Sequence, residues 1–128
     1  MKSIRFTTDQ LNAHVLRVIQ SAQPTIDNRI SKDEIAMRVY GFSRYELDEK
    51  FNTSVDRKIR DAVTELVMQG HPICATSDQP GYYLARNIAE AEQCIAELTS
   101  RAGVYFEKIE GIKRGLRQDK PKQMVLEI

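Results

Sequence analysis

The stretch from Ser54 to Ala85, SVDRKIRDAVTELVMQGHPICATSDQPGYYLA, changes its period once and abruptly. In the first half Val55, Ile59, Ala62, Val63, Leu66 and Val67 recur at helical spacing. This spacing puts them on one buried face and turns Arg57, Arg60, Asp61 and Thr64 to the other. Thr53 and Ser54 are good N-caps just ahead, and Gly70 supplies the left-handed residue that ends a helix without a Cβ penalty. Then come two β-favouring runs, His71 to Thr76 and Tyr82 to Ala85, flanking the turn cluster Ser77-Asp78-Gln79-Pro80-Gly81. The pattern predicts a helix and a hairpin. An isolated hairpin is marginal in water, so this one must lean on the helix before it.

Upstream, Ile4 and Phe6 alternate with polar neighbours in Met1 to Thr7, which suits a short edge strand or a docking arm. Thr8 is the expected cap of a helix from Asp9 to Gln23, with Leu11, Val15, Val18, Ile19 and Ala22 on one face and Pro24 beyond its end. Thr25 to Ile30 has room for a small third strand. Ser31-Lys32-Asp33-Glu34 reads as a capping box that starts a helix at Lys32, with Ile35, Ala36, Val39 and Tyr40 inward and Gly41 as its stop. Residues 42–53 are longer than a simple helix-turn-helix turn. They are expected to form either a short extra helix packed by Phe42, Tyr45, Leu47 and Phe51, or a loop.

From Asp9 to Ala85, and most strongly after Asp56, the chain resembles the winged helix-turn-helix domains of bacterial and phage DNA-binding proteins. The residues that carry the likeness are the helix from Ser54, Gln69-Gly70-His71-Pro72-Ile73 and the return strand Gly81-Tyr82-Tyr83-Leu84-Ala85. The resemblance implies an α+β, mainly α fold: a winged helix-turn-helix with a two- to three-stranded wing sheet and a long C-terminal helix. It also implies a reading helix in the major groove of double-stranded DNA, served by Ser54, Arg57, Lys58, Arg60 and Thr64, with Ser77 and Gln79 offering phosphate contacts. Small phage and mobile-element proteins acting in replication or transcriptional regulation are the closest setting it suggests.

Behind this domain, expected over residues 1–87, Ile88, Ala91, Ile95, Leu98, Ala102, Tyr105, Ile109, Ile112 and Leu116 repeat in alternating steps of three and four. A sustained a/d heptad marks a seam suited to packing against another helix. Over residues 88–117 this predicts one long helix pairing with a second copy of the chain through Ile95, Leu98, Ala102, Tyr105, Ile109, Ile112 and Leu116. The alternatives are a helix broken near Gly103 that returns onto the first helix, and a plain amphipathic surface helix. Residues 118–128 are expected to be a flexible tail. Its end, with Gln123, Met124, Leu126 and Ile128, resembles the peptide by which replication and repair proteins bind the bacterial sliding clamp. A terminal strand pairing with Ile4 and Phe6, or with a partner chain, is the rival.

Charge is distributed unevenly in a chain of net charge +1. On the reading segment Arg57, Lys58 and Arg60 are balanced by Asp56, Asp61 and Glu65. Basic residues gather instead at Arg101, Lys108, Lys113, Arg114, Arg117, Lys120 and Lys122, against Glu107, Glu110 and Asp119. A neutral reading segment also fits a protein-interaction scaffold that does not read DNA directly. No glycine-rich phosphate loop and no nucleophile grouping occurs, so no enzyme and no cofactor is expected. Cys74, Cys94, His14 and His71 lack the spacing of a metal site. No secretory signal opens the sequence and no apolar run approaches bilayer length, which suits a cytoplasmic chain away from the membrane.

Overall fold

A computed structural model describes residues 5–43 and 53–126, with side chains at 5–43 and 54–117. Its elements are α1 (Thr8–Ala22), α2 (Lys32–Tyr40), α3 (Thr53–Met68), β1 (Ile73–Thr76), β2 (Gln79–Leu84) and α4 (Ile88–Leu126). The fold is α+β and mainly helical. The chain divides into two compact units, Met1–Glu92 and Gln93–Ile128.

In the first unit, α1 begins one residue earlier than the spacing predicts. Thr7 is the N-cap, its hydroxyl accepting from Gln10 N–H at 3.1 Å while the Gln10 side chain accepts from Thr7 N–H at 3.0 Å. Thr7 wins over Thr8 because only Thr7 has Gln three positions on to complete the reciprocal pair. Ser31 caps α2 as expected, accepting from Glu34 N–H at 3.0 Å. The return half of that box is missing, because Glu34 turns to Arg38 one helical turn on, at 2.7 Å. Gly41 at φ +74° ends α2.

Leu11, Val15 and Ile19 of α1 meet Ile35 of α2 and Ile59, Ala62, Val63 and Leu66 of α3, and Ile30 and Ile73 complete this core. Val67 belongs outside it. Expected on the buried face, it is 39% exposed, lying at the margin of an apolar stripe that Ile59, Ala62, Val63 and Leu66 already fill. Ahead of α1 the chain forms no strand over Arg5 to Thr7. It is a docking arm, with Phe6 packed against His14 at 4.8 Å and Tyr40 at 5.6 Å between ring centres. Tyr40 also stacks on Phe42. The remaining residues expected to pack the insertion, Tyr45, Leu47 and Phe51, lie outside the described residues, as does Ile4.

The hairpin turns more tightly than its sequence suggests. Ser77 and Asp78 alone make the turn, and Pro80 and Gly81 lie inside β2. Ile73 stands opposite Leu84, Cys74 opposite Tyr83 and Thr76 opposite Gln79, so Pro80, Gly81 and Tyr82 bulge across from Ala75. Proline has no N–H to give to a ladder, and Gly81 takes φ +99°, so this pair is spent on a bulge rather than on the turn. The predicted third strand contracts to one residue. Ile30 exchanges backbone bonds with Tyr82 at 2.9 and 2.8 Å, whereas Thr25 and Asn28 bond each other at 3.0 Å and close a local turn.

In the second unit the helix is unbroken. Gly103, Gly111 and Gly115 all lie within it, so the alternative with a break near Gly103 does not form. Each glycine costs about 1 kcal/mol of helix propensity, and the Leu, Ile, Glu, Lys and Arg around them offset that. The helical backbone also passes the expected end at Arg117 and runs to Leu126. Gln118, Lys120, Lys122, Gln123 and Met124 are good helix formers.

Candidate nucleic-acid interface

Ser54, Arg57, Lys58, Arg60 and Thr64 all stand exposed on α3, because the inward positions between them are taken by Ile59, Ala62 and Val63. Their charges are not equivalent. Asp56 draws Arg60 Nε to 2.9 Å and Lys32 Nζ, from the first turn of α2, to 2.7 Å. The hydrogen bond from Lys32, helped by the charges of Lys32 and Arg60, holds the Asp56 carboxyl below its usual range against the opposing effect of burial. Arg60 therefore pairs with Asp56, one turn back, and not with Asp61 or Glu65. Thr64 directs its hydroxyl to the Arg60 carbonyl at 3.0 Å. Arg57 and Lys58 form no ion pair among the described residues. Lys58 borders a groove against α1, where Asp61 and Glu65 share the wall with Thr7, Leu11 and Asn12. The Asn12 amide, buried in α1, donates to the Glu65 carboxylate.

The hairpin is held by a residue to which the sequence pattern assigns no role. Arg29 has a side chain only 3% exposed. It donates from Nε to the Ile26 carbonyl at 2.9 Å, and from Nη1 to the Thr76 hydroxyl at 2.7 Å and the Gln79 carbonyl at 2.8 Å. Its Nη2 lies 3.9 Å from Asp78. The Thr76 hydroxyl in turn donates to Asp78, so the turn residues are braced from within. Ser77 is exposed at this braced tip and Gln79 is half-buried, with its carbonyl committed to Arg29. Tyr82 lies on the α3 side, where burial pushes its phenol up and the charge of Asp56 adds to the effect, partly offset by Arg60. At the base of the return strand Arg86 reaches Glu90 at 2.6 Å, and the same hydrogen bonds hold the Glu90 carboxyl low.

Lys32, Arg29 and Tyr82 are the residues around this face that sequence reasoning passed over. The Ser31 cap places Lys32 at the start of α2. Its reach to Asp56 follows from the packing of α2 on α3, for which local spacing carries no signal.

Ile95, Leu98, Ala102, Tyr105, Ile109, Ile112 and Leu116 are all exposed on α4. The backbone from Gln123 to Leu126 is helical, so an extended clamp-binding peptide would first require that turn to unwind, and Ile128 lies outside the described residues. Cys74 and Cys94 are buried and are not joined in a disulfide. Among the described residues no group of His, Cys, Asp and Glu could hold a metal ion, and no helix is long and apolar enough to cross a membrane. Comparison with protein-family models, with curated proteins and with solved structures found no match for this chain.

Proposed function

We propose that the first unit is a winged helix-turn-helix domain that binds double-stranded DNA with α3 in the major groove. The observation that carries the reading is the pairing of Ile30 with Tyr82. It ties the segment between α1 and α2 to the free edge of β2. The order helix, short edge segment, helix, helix, hairpin is then the order a winged helix requires. Ser54 stands near the N-terminal end of α3 and Arg57 one turn along it, where a groove-entering helix meets phosphates and base edges. Lys32 joins the residues expected from the sequence, because its ammonium shares Asp56 with Arg60. Replication or transcriptional control in a phage or mobile element belongs to the same proposal and rests on the sequence resemblance alone.

A labelled pool of duplexes titrated across a salt series tests this. The expected result is binding that weakens with salt, and an Arg57→Ala/Arg60→Ala variant whose affinity falls about tenfold or more with a shallower salt slope. No binding at low salt would overturn it. In that event the scaffold reading gains, because Asp56 already neutralises Lys32 and Arg60 on the face that DNA would need.

A further inference from the structure

The second unit presents an apolar seam from Ile95 to Leu116, along about 32 Å of helix. Ile95, Leu98, Tyr105, Ile109, Ile112 and Leu116 are each between 45% and 65% exposed, and Phe106 beside them is 67% exposed. Scattered exposed apolar residues are ordinary on a helix, but a continuous heptad seam of this length is not. Taking Ile95 as an a position makes Ala102, Ile109 and Leu116 the other a positions and Leu98, Tyr105 and Ile112 the d positions. Flanking them, Arg101 and Lys108 fall at g, and Glu92, Thr99, Phe106 and Lys113 at e.

We infer that the second unit associates with a second copy of this chain as an antiparallel helix pair, in the register that sets Ala102 of each helix against Tyr105 of the other. Size and charge both select this arrangement. In a parallel pair each position meets itself. Two alanines would then leave a gap one layer away from two opposed tyrosines, and every Lys108 would meet Lys113 of the second copy. Reversing one helix puts the smallest seam residue opposite the largest. It also pairs Ile95 with Ile112 and Leu98 with Ile109, and brings Glu92 of each helix to Lys113 of the other. The like-charge contact it introduces is Arg101 with Lys108. Both are exposed, and the Lys108 ammonium is already drawn over the Tyr105 ring at 5.7 Å. Sliding one heptad in one direction sets Arg101 against itself. Sliding in the other sets Lys108 against itself and Asp119 against Ile95. The seam is therefore most complementary to its own reverse, which is the isologous, two-fold contact of a homodimer.

The test uses the full-length chain. Sedimentation equilibrium should show a reversible monomer to dimer transition without DNA. Mixing Ala102→Cys protein with Tyr105→Cys protein under mild oxidation should give the mixed disulfide between them, located by peptide mapping, in clear excess over either self-disulfide. Lys113→Glu should raise the dimer dissociation constant about tenfold, and adding Glu92→Lys should restore it. Circular dichroism confirms that each variant keeps its helices. A monomer mass at every concentration, self-disulfides in excess, or a dimer that forms no mixed disulfide would each overturn the inference. Because these readings are made on protein alone, their failure is separable from failure of the DNA proposal.

Discussion

The guanidinium of Arg29 lies over the ring of Tyr83, 4.7 Å from its centre. Tyr83 is fully buried and donates its hydroxyl to the Glu90 carbonyl at 2.7 Å. The pair thus links the segment before α2, both strands of the hairpin and the first turn of α4. A buried guanidinium is tolerable only where its donors are satisfied, and here the Ile26 and Gln79 carbonyls and the Thr76 hydroxyl do so. Arg29→Ala strands those acceptors and opens a void beside Tyr83. It should cost about 2–4 kcal/mol in urea unfolding. Tyr83→Phe keeps the ring under the cation and loses one hydrogen bond, so its cost should be near 1 kcal/mol. Equal costs for the two would mean that Arg29 braces nothing.

Gly81 is constrained twice over. Its φ of +99° disfavours any L side chain, and a Cβ there would stand 3.0 Å from both the Arg29 Cβ and the Ile30 carbonyl oxygen. Among the described residues, Gly41, at φ +74°, has nothing within 4 Å of the same position. Gly41→Ala should therefore cost only the left-handed penalty, about 1 kcal/mol, whereas Gly81→Ala should exceed it by about 1–2 kcal/mol. Thermal unfolding of the two variants side by side checks the ordering. The Gly81 change should also weaken amide protection at Ile30 and Tyr82, whose backbone bonds pass beside it.

What was legible in the sequence was local. The buried faces of α1 and α3, the Ser31 cap, and the stops at Gly41 and Gly70 follow from spacings of three and four and from the special φ of glycine. What was not legible depends on neighbours distant in sequence. Pro80-Gly81 looks like a turn until the Ile30 pairing and the register of Thr76 with Gln79 assign it to a bulge. Arg29 looks like any surface arginine until the hairpin closes over it. At the candidate interface, the exposed positions of α3 could be read from periodicity. The capture of Arg60 and Lys32 by Asp56 could not, because it needs α2 laid against α3.

Asn12 is a buried polar residue whose amide meets Glu65, an exposed residue of α3. Since Glu65 can turn to water, deleting its partner leaves no buried charge behind. Asn12→Leu should therefore change stability by less than about 1 kcal/mol. Asn12→Asp is nearly the same shape but sets one carboxylate against another in a half-dry groove. It should lose about 2 kcal/mol or more at neutral pH and recover as acid protonates the pair. Urea titrations at pH 7 and at pH 4 separate the two effects.

At Asp56 stability and the proposed function pull apart. Its folded-state pKa is depressed, chiefly by the Lys32 hydrogen bond. A depressed carboxylate contributes stability that is fully present above the unfolded value, about 3.9, and is lost as pH falls through the lower folded value. Asp56→Asn should thus flatten the acid limb of the stability profile below about pH 5. At pH 7 it should cost only about 0.5–1 kcal/mol, because Arg60 and Lys32 are partly exposed and solvent screens the pairs. If α3 reads DNA, the same change frees two cations toward phosphate. Affinity for duplex at low salt should rise several-fold, and the salt slope should steepen by up to about two phosphate contacts. An unchanged slope in a variant that shows the flattened acid limb would place Lys32 and Arg60 away from the DNA and confine Asp56 to holding α2 against α3.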